Sequence, residues 1–112
     1  ANTITSPMMM AVTSVAGEVC NDLINQEGPV GSQRIFKNMS FTANALPSSS
    51  DLNDAITRLA LSCWNRQDTS SERQLLLDMI YTSVGTTEAM ASRKAALLMC
   101  TSMLSSLDAL VN

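Results

Sequence analysis

The stretch that decides the fold class is Thr86-Thr87-Glu88-Ala89-Met90-Ala91-Ser92-Arg93-Lys94-Ala95-Ala96-Leu97-Leu98-Met99-Cys100-Thr101-Ser102-Met103-Leu104-Ser105-Ser106-Leu107-Asp108-Ala109-Leu110-Val111-Asn112. It contains no Gly or Pro, and its apolar residues recur at helical spacing. Leu97, Cys100, Leu104, Leu107 and Val111 fall on one stripe, with Met99, Met103 and Leu110 on a second beside it. Two adjacent stripes predict a helix with an apolar face broad enough for several neighbours.

Upstream, the same period recurs between breakers. Ser6-Pro7 reads as a cap and first helical residue. Met8, Val12, Val15, Val19 and Leu23 then share a face, and Gly28-Pro29 ends the helix near Gln26. The spacing predicts a second helix over 32–44, with Ile35, Met39, Ala43 and Leu46 inward and Phe41 off the stripe. After the linker Pro47-Ser48-Ser49-Ser50, Ser50 reads as the cap of a third helix. Asp51 and Asp54 suit its N-terminal dipole, and Leu52, Ala55, Ile56, Leu59, Ala60 and Cys63 form its apolar face. Asp54 and Arg58 are an i,i+4 ion pair.

Thr69-Ser70-Ser71-Glu72 reads as a capping box for a fourth helix. Leu75, Leu76, Leu77, Met79, Ile80, Tyr81 and Val84 leave it little polar face, so it is expected to be the most buried. Gly85 closes it, and Thr86 or Thr87 caps the last helix. The reading is a single all-α domain over 1–112, a compact bundle of about five helices with residues 1–6 frayed.

Charge and composition narrow the function. The net charge is −3 with scattered Lys and Arg, so no basic patch favours nucleic acid. No run reaches the roughly 18 apolar residues of a membrane span. The chain begins at Ala1 rather than Met, which fits loss of an initiator Met or of a signal peptide, secreted or cytoplasmic.

The chain has no His, so the usual general base near neutral pH is missing. Glu18 and Asp22 share a helix face but read as a solvated acidic surface. No Gly-rich loop cradles phosphate. Cys20, Cys63 and Cys100 lack the short spacings of zinc sites and lie in apolar stripes, where Cys behaves as a small hydrophobe. A disulfide between two of them would leave the third free, or able to pair between chains. No metal, cofactor or enzymatic activity is expected. Asn38-Met39-Ser40 matches a glycosylation sequon.

Hydrophobic residues make up 46% of the chain and charged ones only 15%. Five helices then carry more apolar surface than one small core needs. Met8, Met9, Phe41, Leu61 and Trp64 are the candidate exposed residues. They point to a non-catalytic interaction or assembly domain presenting a Met- and Leu-rich helical face to another protein or to itself, as a homodimer. The alternative is a carrier holding a small apolar ligand between helices.

The opening Ala1-Asn2-Thr3 and the run from Ser70-Ser71 to Met79 resemble the N-terminal domains of spider-silk proteins. Those are secreted, Met-rich, His-poor five-helix bundles that dimerise. The resemblance covers these few residues and implies a terminal assembly domain of a secreted fibre-forming protein. This chain departs from that family by placing its one Trp in the third predicted helix instead of the first, and it is shorter.

Overall fold

A computed structural model describes the backbone of residues 6–29 and 31–106, and the side chains of residues 13–29 and 31–106. Four helices run in the order α1 (Ser6–Glu27), α2 (Ser49–Trp64), α3 (Ser70–Ser83) and α4 (Ala91–Leu104). The described residues contain no strand. The all-α class holds, with one helix fewer than the periodicity predicts.

α4 is the hub. It packs against α1, α2 and α3, whereas among the described residues α1 makes no close backbone approach to α2 or α3. Its inner face is made of small and flexible side chains: Ala91, Ala95, Ala96, Met99, Cys100 and Met103 are all buried. Alanines let neighbouring backbones come close, and Met fills the irregular space left over. The Met stripe therefore faces inward, while Leu97, Leu98 and Leu104 are half-buried at its edges. Leu107, Leu110 and Val111 lie outside the described residues.

α1 lies antiparallel to α4, joined to it by a Cys20–Cys100 disulfide with Cα atoms 5.7 Å apart. The Arg93 guanidinium donates to Asn21 Oδ1 and Asn25 Oδ1 further along the same seam. The buried face of α1 is Ala16, Cys20, Ile24 and Glu27. Val15 and Val19, expected inside, are exposed. One residue of helix is a rotation of about 100°, and the covalent link through Cys20 sets which face turns inward.

α2 runs alongside α4 in the same direction. At one end Leu46 N–H donates to Thr86 O (3.3 Å) and Ser92 N–H to Ala43 O (3.4 Å). At the other the Trp64 indole Nε1–H donates to Met103 O (3.0 Å) and Ser106 Oγ (2.7 Å). Ser48, rather than Ser50, is the N-cap, accepting from Asp51 N–H. The Asp54–Arg58 pair forms at 2.9 Å.

α3 opens with the expected capping box. Thr69 Oγ1 accepts from Glu72 N–H, and Glu72 Oε1 accepts from Thr69 N–H. Arg73 ties this end to α2 by donating to Asp68, to Asn53 and to Thr57. The expectation that α3 is the most buried helix is overturned: only Leu76 and Ile80 within it are buried. α3 packs on α2 and α4 from one side only, and the apolar residues on its other side remain in water.

The predicted helix over 32–44 does not form. Residues 31–46 run as turns and bends, and they add Phe36, Met39 and Phe41 to the core that also holds Ile24 of α1 and the buried face of α2. Phe36 and Phe41 are five residues apart, so on one helix they would point about 140° apart and only one could be buried. In the observed path both are buried, with an edge-on ring contact at 5.5 Å between centroids. Met39 is buried beside them, and a left-handed Asn38 at φ 61° breaks any helical run.

The segment is anchored at its start by a buried carboxylate. Glu27 Oε1 accepts the backbone N–H groups of Arg34 (3.2 Å), Ile35 (3.0 Å) and Phe36 (2.9 Å), and Oε2 accepts from Ile35 at 3.2 Å. The bonds compensate a negative charge held only 4% exposed.

Candidate interaction surface

The residues expected on the surface separate in the structure. Leu61 is exposed at 56%. Phe41 is only 7% exposed and Trp64 only 6%, and both belong to the core. Phe41 is buried because its segment is not helical; Trp64 because its ring closes the bundle over the end of α4. The side chains of Met8 and Met9 lie outside the described residues.

Among the described residues, Leu61 on α2 is joined as an exposed large apolar side chain by Val15 and Val19 on α1, Leu75 and Tyr81 on α3, and Met90 before α4. Leu75 is the most exposed of them, at 70%. It shares a row of α3 with Met79 and Ser83, each four residues further on. Met79 Sδ accepts from the Ser102 hydroxyl of α4 at 3.4 Å, so this row borders the α3–α4 seam.

A groove of about 380 Å³ opens on that seam, lined by Ser83 and Val84 from the end of α3 and by Lys94, Leu97, Leu98 and Thr101 of α4. Its walls are aliphatic. The single cation, Lys94, is drawn to Glu88 at 2.5 Å. That pair, with the Gly85 N–H also donating to Glu88, holds the Glu88 carboxyl below its usual range. The groove comes from a chain feature the periodicity cannot show: α3 ends at Ser83, Val84 turns extended, and α4 starts only at Ala91.

A second recess, of about 500 Å³, lies where α1 ends. The buried residues lining it are Ile24, Met39 and Phe41, and the more exposed ones are Met90 and the polar Asn25, Gln33, Asn38, Ser40, Thr42 and Arg93. Asn38 and Met90, at φ 61° and 57°, are two of the three non-glycine residues with left-handed backbone among the described residues.

The charged groups serve as connectors between helices. Arg66 stacks over Trp64 at 4.9 Å and donates to both Glu72 oxygens, at 3.0 and 2.9 Å. Those bonds, with the Thr69 N–H, lower the Glu72 pKa to about 2. Bonding to Asp68 raises the Arg73 pKa. Cys63, the free thiol, is half-buried, and burial pushes its pKa up, away from the reactive thiolate.

Among the described residues no cluster of His, Cys, Asp or Glu is arranged to hold a metal ion. No described helix is long and apolar enough to cross a membrane. Set against known protein families, characterised proteins and solved structures, the chain matches none of them.

Proposed function

We propose that this chain is a non-catalytic helical assembly domain that pairs with a second copy of itself through the α3–α4 face. The observation that carries the reading is the aliphatic groove at Val84, Leu97 and Leu98, extended along α3 by Met79 and the exposed Leu75. An apolar strip of this kind gains free energy when covered. A net charge of −3 on 112 residues gives little repulsion between copies. A two-fold axis beside α3 would set the Leu75 row of each copy against the groove of the other, the self-complementary contact of a closed dimer.

The narrower form of this reading is a terminal assembly domain of a secreted fibre-forming protein, and the Cys20–Cys100 link favours an oxidising setting for it. The carrier reading has the recess over Ile24, Met39 and Phe41 in its favour, but its polar residues, Arg93 among them, suit a purely apolar ligand poorly.

The test is mass in solution by light scattering, with Leu75→Asp as the probe. The expected result is a wild-type dimer that persists at high salt, because burial rather than ion pairing holds it. Leu75→Asp should be a monomer with unchanged helix content. A wild-type protein that stays monomeric at high concentration overturns self-association and leaves the carrier reading first. A dimer unaffected by Leu75→Asp overturns the assignment to the α3–α4 face.

A further inference from the structure

We propose that Asn38 is a site of N-linked glycosylation. Asn38-Met39-Ser40 is the one Asn-X-Ser/Thr triplet in the chain, and its middle residue is not Pro. In a chain this rich in Ser and Thr the triplet alone carries little; its placement carries the argument.

The triplet lies in the irregular segment between α1 and α2, where the backbone alternates in and out. Met39 and Phe41 are buried, whereas Asn38, Ser40 and Thr42 are exposed. The middle of the triplet is fixed: Met39 N–H donates to Phe36 O at 3.3 Å, and the Gln33 amide donates to Met39 O. Asn38 sits at the tip of that turn with φ 61°. Among the described residues no hydrogen bond engages its side-chain amide. The Ser40 hydroxyl faces outward and, among the described residues, pairs only with Thr42, at 3.2 Å. Both groups that a transferase must reach are presented together by a loop whose inner side is locked in the core.

A second, independent observation favours the setting in which such a transferase works. The Cys20–Cys100 disulfide lies inside the core between α1 and α4, and disulfides of this structural kind form and persist in oxidising compartments such as the lumen of the secretory pathway. There the co-reactant is an oligosaccharide carried on a lipid diphosphate. The Asn38 amide nitrogen attacks the anomeric carbon of the first sugar, forming a C–N bond. The bond from that carbon to the diphosphate oxygen breaks, the lipid diphosphate leaves with its electron pair, and the amide proton passes to a base of the transferase.

The experiment secretes the full chain from eukaryotic cells and measures the intact mass of the folded, disulfide-bonded protein. The expected result is a mass above that of the bare chain. Treatment with an amidase that removes N-glycans should lower the mass and leave Asp at position 38. Ser40→Ala should give the bare mass. So should Asn38→Gly, which keeps a residue at ease in the left-handed turn. Secreted, disulfide-bonded wild-type protein at the bare mass overturns the proposal, as does an added mass that survives both variants.

Discussion

Glu27 and Phe36 are joined by a 2.9 Å hydrogen bond from the phenylalanine N–H to a carboxylate oxygen that solvent barely reaches. The bond turns the chain at the end of α1 and delivers the Phe36 ring to the core. Glu27→Gln keeps the size but replaces one acceptor oxygen with an NH₂ group facing backbone donors. We expect a loss of about 1–3 kcal/mol in denaturant unfolding, the cost of leaving buried donors unpaired. A loss under about 0.5 kcal/mol would show that water replaces the carboxylate at little cost.

Phe41 and Leu61, both expected on the surface from the sequence, separate cleanly on truncation. Phe41→Ala removes a buried ring in contact with Phe36 and should cost about 3–5 kcal/mol. Leu61→Ala, on the exposed side of α2, should change stability by no more than about 0.5 kcal/mol. Chemical denaturation of both variants checks the pair, and equal effects would contradict the placement of Phe41.

Cross-linking Cys20 to Cys100 closes a loop spanning 80 residues of sequence. The chain-entropy model gives about 4.5 kcal/mol for a loop of that order. The paired substitution Cys20→Ala with Cys100→Ala should therefore lower the thermal midpoint markedly while leaving the helix content of the folded form intact. Circular dichroism melts of the oxidised, reduced and substituted proteins would show it, the last two melting together.

Acid should weaken the start of α3. The folded Glu72 carboxyl has its pKa lowered to about 2 by Arg66 and the Thr69 N–H, against an unfolded value near 4.5. A depressed folded pKa contributes stability that is fully present above the unfolded value and is lost as pH falls through the folded one. Stability should thus decline from about pH 4.5 toward pH 2. Glu72→Gln should flatten part of that slope, a result read from urea midpoints at successive pH values. Both side chains of the pair are about a third exposed, so solvent screening keeps the effect small.

Local signals in the sequence were legible where a single element satisfies itself. The Thr69–Glu72 capping box, the Asp54–Arg58 pair, the apolar face of α2 and the stop after α1 each depend on residues within one turn of one another. What failed depended on partners distant in sequence. Val15 and Val19 form as good a stripe as Ala16, Cys20 and Ile24, and only the link to Cys100 chooses between them. Nothing local says that Glu27 will gather three amides from 34–36, so 32–44 reads as a helix. The candidate surface was least legible of all. Leu75 looks like core until α3 is seen to have neighbours on one side only, and the groove exists because α3 and α4 end and begin apart from each other.

The Cys20–Cys100 link also decides how the molecule bears tension. A pull on the two ends of this chain travels along α1 to Cys20, crosses the sulfur–sulfur bond to Cys100 and leaves through the end of α4. The intervening residues, with α2, α3 and the Phe36–Phe41 plug among them, lie off that path. Stretching can peel the outer turns of α1 and α4 away from their neighbours, but it cannot draw the intervening segment out to its contour length. The segment between Cys20 and Cys100 is thereby shielded from load, and the α3–α4 face stays off the line of force.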